Sequence, residues 1–400
     1  MSKLSFKSKC LIAINGLAIT SLSSAATAQD NFTFVPQGRL QVDYTNASGD
    51  NSGADFNGFE LRRAYIGARG KLGKNISYNV DVGVDETGDV TPIVAFIDWK
   101  PFGKQKGNDF RIRAGQFKTP MSLDESTSSR FTSTIERSAF TDAFNIQRNV
   151  GIGFVQRGEK HTLSGGVFGG ALDHQPFGSS NEAALRGTYT PYLKKKKVVH
   201  LGASVRYRTD NKDAGPNRYT QRPYSHNIDP ILSTGRIAES DTTFAGEAAW
   251  VNDKTWVAGE YAVSKVKCST CLSDPSFNGY YAEAGMFFGG RKVYKNGKFN
   301  RPRVYNPVTE GGKGAFSIVA RYDGLDLTDA PTIGGDLKTI IVGADWYPTK
   351  NTRLGVNYFN SDADLGTSAS RLAPEFIALQ TSNISSEKVQ GFVVRAQFDF

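Results

Sequence analysis

The chain has 400 residues, with 48 Lys and Arg against 39 Asp and Glu and a formal net charge of +9. Glycine is frequent at 42 residues, aromatics reach 12%, and three cysteines exclude a disulfide-built scaffold. The basic excess is modest and comes with no recognition motif, which excludes nucleic acid as a partner, while abundant Gly and aromatics suit short, regular strands.

Lys3, Lys7 and Lys9 precede an apolar run from Leu11 to Ala18, and small residues lead to Ala26-Thr27-Ala28. This is the layout of a secretory signal peptide at 1–28, cleaved after Ala28. The domain then runs over 29–400, which is 372 residues with 45 basic and 39 acidic side chains. No later segment approaches 18 consecutive apolar residues, so no transmembrane helix is expected. A mean hydropathy of −0.38 does not exclude a membrane barrel, which hides its apolar band in alternation.

Alternation with period two recurs in sixteen segments. They are 33–45, 58–71, 75–86, 92–100, 109–117, 149–158, 161–170, 183–190, 197–208, 242–251, 255–266, 279–289, 314–324, 337–347, 351–360 and 388–400. Short connections at 72–75, 158–160, 252–254 and 348–350 alternate with long ones at 118–148, 209–241 and 361–387. An even strand count with short turns inside and long loops outside predicts an all-β fold, a transmembrane antiparallel barrel of sixteen strands. The segment 290–313 is long where a short turn is due. It either folds back beneath the lumen or breaks the strand count. Phe392, Val394, Ala396, Phe398 and Phe400 share one face of the last strand, and a chain ending on Phe400 offers the barrel-assembly machinery its terminal aromatic.

With apolar residues turned to outer-membrane lipid, Arg39, Arg63, Arg69, Arg111, Arg113, Arg206, Arg208, Arg321, Arg353 and Arg395 turn inward. A Lys or Arg on the lipid face at mid-bilayer costs about 2–4 kcal/mol, so arginines at these positions face water. Their charge favours anions, and the planar guanidinium suits oxyanions. Asp43, Asp81, Asp85, Asp98, Asp323, Asp345 and Asp399 share the same face, and wall salt bridges would leave a weakly selective pore instead. The third outer loop, 118–148, mixes charges with Phe131, Phe140 and Phe144, which predicts that it folds inward and narrows the pore.

The run Glu60-Leu61-Arg62-Arg63-Ala64-Tyr65-Ile66-Gly67 resembles the second strand of the phosphate-selective porin O and P family. Arg111 to Pro120, followed by Ser128-Ser129-Arg130 and Glu136-Arg137, resembles its fifth strand and constriction loop. The resemblance implies a sixteen-stranded porin, usually a homotrimer, for small polar or anionic solutes. It places Arg62, Arg63, Tyr65, Asp98, Glu125, Ser128, Ser129 and Arg137 at the constriction. Strict alternation puts Arg62 and Arg63 on opposite faces, so both reach the pore only through a bulge or near the rim. Phosphate-specific members carry a lysine just ahead of the Ser-Ser pair, where this chain has Asp124-Glu125-Ser126-Thr127. The departure points to a general rather than a phosphate-specific porin.

Other motifs add no chemistry. Cys268 and Cys271 lie in an outer loop without a second pair or a βαβ context, and a local disulfide is expected in an oxidising compartment. His161, His174, His200 and His226 lack metal-site spacing, so no metal or cofactor is expected. Without a nucleophile and base the chain does not read as an enzyme. A plugged structural barrel, or a barrel enzyme with its dyad split across strands, remains the alternative.

Overall fold

A computed structural model describes residues 32–51, 54–84, 88, 90–103, 107–171, 180–211, 215–366 and 385–400. The expected signal segment, Asp85 and His174 lie outside the described residues. The chain opens with nine consecutive strands: β1 (Phe32–Gly49), β2 (Phe56–Leu72), β3 (Ile76–Val84), β4 (Val90–Trp99), β5 (Asp109–Lys118), β6 (Arg148–Arg157), β7 (His161–Phe168), β8 (Glu182–Leu193) and β9 (Lys197–Thr209). A hairpin of β10 (Asn217–Gln221) and β11 (Leu232–Ala238) follows, then β12 (Ser240–Asn252), β13 (Thr255–Lys267) and β14 (Ser276–Phe288). A second hairpin, β15 (Gly290–Lys295) and β16 (Lys298–Val304), precedes β17 (Ala315–Asp329), β18 (Thr332–Thr349), β19 (Thr352–Leu365) and β20 (Ser386–Asp399).

All strands except the two hairpins form one closed sixteen-stranded antiparallel barrel in sequence order. Each of the sixteen alternating segments corresponds to one barrel strand. The chain of hydrogen bonds closes where β20 pairs with β1, from Arg39 opposite Asp399 to Gly49 opposite Val389. Closure removes the free edges that an open sheet would expose, a requirement in hydrocarbon, where an unpaired backbone group costs several kcal/mol. At the short-turn end Gly73 (φ +65°) and Asp253 (φ +50°) supply the left-handed residues that tight hairpins need.

The outward face carries two aromatic girdles around an apolar band. Phe288, Phe316 and Trp346 stand side by side across three strands near the short turns, with Phe316 and Trp346 stacked at 6.1 Å. Tyr207, Tyr261, Tyr322 and Tyr358 are exposed nearer the long loops, and Ile318, Ile340, Val342 and Val356 are exposed between the girdles.

Toward the long loops the interior of β12–β20 is apolar as well. Inward-facing Phe277, Leu325, Leu337, Ile341, Phe359 and Val393 are buried against Phe140 and Phe144 of the 119–147 loop and Tyr219, Ile231 and Leu232 of the β10–β11 insert. Burying each such phenyl ring stabilises the arrangement by roughly 2–3 kcal/mol. The two inserts therefore pack on one wall as a soluble core would. The 290–313 segment resolves in favour of folding back: its strands lie outside the barrel count, and the β15–β16 tip enters the lumen. Gly297 O accepts a 2.7 Å bond from inward-facing Arg186, and Tyr294 Oη lies 2.6 Å from His200 Nδ1.

The seam generates a prediction. Gly38 N donates to Phe400 O at 3.2 Å and Phe400 N to Gly38 O at 3.1 Å, the last bonds of the closing ladder. Deleting Phe400 is expected to cut the yield of folded barrel, scored as the heat-modifiable band on a gel. An undiminished band removes the terminal residue from any part in closure.

Candidate functional site

Between β5 and β6, residues 119–147 include two short helices, α1 (Leu123–Ser126) and α2 (Ala139–Ala143). Both begin on carboxylates of the wall. Glu260 on β13 accepts from Leu123 N at 2.8 Å, Asp124 N at 2.7 Å and Ser122 Oγ at 3.1 Å. Asp323 on β17 accepts from Ala139 N at 3.1 Å. These carboxylates supply acceptors for the free N–H groups that open each helix. Further along, Ser133 Oγ donates to Glu283 at 2.6 Å and Ile135 N to Asn357 at 2.6 Å. Arg353 and Arg395 bond the carbonyls of Thr132 and Ile135, and Arg206 that of Phe144. The loop thus lies against the inner wall of β12–β20.

On its other side the loop faces β1, β2 and β5–β8. In β1 and β2, Gln41 pairs with Arg63 but Asp43 pairs with Glu60, so one residue of β1 opposes two of β2. This bulge turns Arg62 and Arg63 to the same side, the first of the two routes left open by alternation. Arg62 forks onto Glu136 with Nε–Oε1 3.1 Å and Nη2–Oε2 3.2 Å, while Arg63 bonds Gln41 Oε1 at 3.1 Å. Arg39 reaches Ser129 Oγ at 2.5 Å and lies 4.5 Å over the Tyr65 ring. Glu125 is held by Lys118 at 2.8 Å and Arg137 at 2.5 Å. Burial pushes the Glu125 carboxyl up, but Arg137, Lys118 and Arg148 outweigh it and keep the group below the usual carboxylate range.

Two cavities meet here and share Lys118 and Arg148 in their linings. The one toward the long loops, about 180 Å³, includes Arg62, Arg63, Glu125, Ser129, Glu136, Arg137 and Arg222. The one toward the short turns, about 340 Å³, includes Arg39, Arg113, Ser128, Arg130, Arg157, Arg186 and Lys298. Together they present twelve Lys and Arg side chains against four carboxylates, Asp81, Glu125, Glu136 and Asp142. Arg148 forms no ion pair among the described residues, and its buried Nε has no hydrogen-bond partner. A third cavity toward the short turns is lined by Arg69, Asp98, Arg111 and Arg113.

Of the residues expected at the constriction, Arg62, Arg63, Glu125, Ser129 and Arg137 come together on one cavity, and Ser128 lines the next. Tyr65 supports Arg39. Asp98 sits elsewhere, in the third cavity, held by Arg111 at 3.1 Å and Arg113 at 2.7 Å. The inward arginines divide. Arg206, Arg321, Arg353 and Arg395 are fully buried, paired with Asp241, Glu283, Asp345 and Asp43 respectively, whereas Arg39, Arg69, Arg111 and Arg113 line cavities. Arg208 pairs with Asp241 at 2.6 Å and lines an outer cavity. Sequence reasoning passed over Arg157 and Arg186, which inward parity on β6 and β8 would have revealed. It also passed over Arg222 and Lys298, which sit on inserts where alternation carries no information. Cys268 and Cys271 are joined in a disulfide. Among the described residues no three His, Cys, Asp or Glu side chains are grouped to hold a metal ion.

The sequence profile described as phosphate-selective porin O and P matches residues 34–400. Porin O of Pseudomonas aeruginosa is 26% identical over 412 aligned residues, covering 94% of this chain and 90% of that protein. An uncharacterised protein of Caulobacter vibrioides is 31% identical over 358 residues, covering 85% of this chain and 71% of its own. The anion-selective porin of Comamonas acidovorans superposes with a TM-score of 0.58 at 14% identity, covering 92% of this chain and all of that one, a likeness of fold.

The loop anchor yields a prediction. Glu260→Ala strips four buried donors, Ser122 Oγ, Leu123 N, Asp124 N and Tyr281 Oη, of their acceptor at about 1–3 kcal/mol each. Noisier and larger single-channel currents are expected, with a smaller change in Glu260→Gln, whose amide oxygen can keep the three Oε1 donors while its NH2 leaves Leu123 N without an acceptor. Quiet, unchanged currents in the alanine variant mean that Glu260 does not hold the loop.

Proposed function

The chain belongs to the phosphate-selective porin O and P family, and from that premise we propose that it passes small polar solutes by passive diffusion with a bias toward anions. It is an outer-membrane β-barrel channel and not an enzyme. The observation that carries the anion bias is the lining of the two adjoining cavities, where Arg39, Arg63, Arg148, Arg222 and Lys298 form no ion pair among the described residues, while Arg113, Arg130, Arg157 and Arg186 are paired with Asp98, Asp399, Asp109 and Glu247. An anion there meets cations within the screening length of about 8 Å at physiological salt, whereas a cation meets an unbalanced barrier.

Phosphate and other oxyanions are among the solutes this lining suits, because guanidinium forks bind two oxygens at once. Specificity for phosphate is not part of the proposal. Glu125 stands where phosphate-specific relatives carry a lysine nearby, and its charge consumes part of Lys118 and Arg137. The constriction residues we assign are Arg62, Arg63, Glu125, Ser128, Ser129 and Arg137, with Arg39, Lys118 and Arg148 added to them. Export by a signal peptide at 1–28, recognition of Phe400 by the assembly machinery, and a homotrimer in outer-membrane lipid complete the reading.

Purified protein in a planar bilayer under a potassium chloride gradient tests the reading. A reversal potential on the chloride side is expected, and Arg148→Glu should lower the anion-to-cation permeability ratio several-fold because Arg148 forms no ion pair among the described residues. Equal permeability in the wild type replaces the proposal with an unselective pore, and absent conductance replaces it with a plugged barrel. The pH dependence has a defined sign. On the β15–β16 hairpin, burial and the neighbouring Arg157, Arg113, Arg186 and Arg130 lower the Lys298 ammonium to about 8. Lys298 is charged below that value and neutral above it, so anion preference should fall as pH rises from 7 to 9. Lys298→Gln should flatten that dependence; an unaltered pH profile in this variant rules Lys298 out as its source.

A further inference from the structure

The cavity toward the long loops holds a feature that net charge does not describe. Glu136 receives a two-pronged bond from Arg62 (3.1 and 3.2 Å) and a third from Arg395 Nη2 at 3.0 Å. Arg63 lines the same cavity with only an amide partner, Gln41 Oε1 at 3.1 Å. Arg395 has its own counter-ion, Asp43 at 2.6 Å, and does not need Glu136 for charge balance. Arg62 has no other hydrogen-bonded partner among the described residues. Two planar guanidinium groups thus converge on one carboxylate beside a third, the arrangement by which proteins bind free oxyanions. Here the oxyanion belongs to the protein. Burial alone would push the Glu136 carboxyl up, but Arg62, Arg395 and Arg63 overcome it and hold the group far below the usual carboxylate range, so it remains ionised at any physiological pH.

We propose that Glu136 is a tethered surrogate anion, occupying an arginine site built for a carboxylate-like or phosphate-like solute and so keeping that site from retaining anions in transit. The inference rests on the anion-biased reading above and deepens it by naming the residue that separates passage from capture. A free anion in a fork of Arg62 and Arg63 would bind with charge-assisted bonds and leave slowly. A channel conducts only when binding is weak enough to release. With Glu136 in the fork, a solute passes along Arg63, Lys118 and Arg148 but competes with an intramolecular carboxylate for Arg62. Glu125 is the comparison: it lines the same cavity at the same formal charge, but its partners are Lys118 and Arg137, which offer no shared fork.

The experiment compares wild type, Glu136→Gln and Glu125→Gln by single-channel conductance across a series of potassium chloride concentrations, with inorganic phosphate as the added probe. Wild type is expected to conduct in proportion to salt, with little block by phosphate, and Glu125→Gln, which releases Lys118 and Arg137 but no shared fork, to be blocked several-fold less readily than Glu136→Gln. Glu136→Gln is expected to saturate as chloride rises and to be blocked by phosphate at concentrations at least tenfold lower. Proportional conductance and unchanged phosphate block in Glu136→Gln overturn the proposal, as does equal saturation in both variants, which makes the effect one of net charge. Should Glu136→Gln fail to fold, Glu136→Asp withdraws the carboxylate by one methylene, and partial saturation is then the required result. A cation-preferring wild type defeats the anion-biased reading itself, whatever the variants do, so the two failures are separable.

Discussion

A closed barrel of sixteen strands encloses a lumen wide enough for water, and charges on opposite walls of such a lumen are screened from one another beyond about 8 Å at physiological salt. Any discrimination by charge therefore depends on the 119–147 segment being held firmly against one wall, where it brings the other wall within that length. The holding is done by buried polar groups in a protected interior. Glu260 and Asp323 accept the opening N–H groups of α1 and α2, and Arg353, Arg395 and Arg206 take carbonyls along the way. Arg353 and Arg395 each have a wall carboxylate, and Arg206 shares Asp241 with Arg208 and has Glu182 at 3.8 Å, so the clamps add fixed geometry with little net charge. The loop itself brings Arg137, balanced by Glu125, and Glu136, balanced by Arg62.

The consequence is a division of the lumen. On the β12–β20 side, charge is neutralised locally and the space toward the long loops is filled by Phe140, Phe144, Tyr219 and their apolar neighbours. On the β1–β8 side, Arg39, Arg63, Lys118, Arg148 and Arg157 line open cavity with few acids among them. The β15–β16 hairpin reinforces the same asymmetry from the opposite end. Lys292 Nζ donates to Ser133 Oγ and Phe299 N to Thr127 Oγ1 at 3.3 Å, so the hairpin and the loop brace each other across the lumen. Lys298 at its tip then adds one more cation to the open side.

The barrel was legible because its physics is local and periodic: each strand must alternate, and sixteen segments do. Inward arginines followed from the same parity. What escaped was whatever depends on partners distant in sequence. Ile340 and Ile341 illustrate the difficulty, since one is 55% exposed on the lipid face and the other fully buried under an insert, and no alternation distinguishes them. Arg62 and Arg63 illustrate another, because a bulge is a property of two strands and only the pairing with Gln41 and Asp43 reveals it. Arg222 and Lys298 lie on inserts whose position in the lumen is set by packing against other elements. Parity did reach Arg353 and Arg395, but it could not tell that they would be spent on clamps.

That distinction between an inward charge and an available one decides how such a lumen should be read. The formal excess of basic residues in the chain is small, and counting every inward arginine overstates the field an ion meets. A buried arginine bonded to a carboxylate and to loop carbonyls, as Arg353 is to Asp345, Thr132 and Ser133, has all three nitrogens engaged and contributes mainly a fixed wall. An arginine such as Arg148, with a buried Nε lacking any partner and no ion pair among the described residues, keeps more of its charge for the passage. Selectivity therefore follows from which guanidinium groups remain unpaired after the loop is anchored. The anchoring carboxylates on β13 and β17 shape it as much as the arginines do, although they line neither of the two joined cavities.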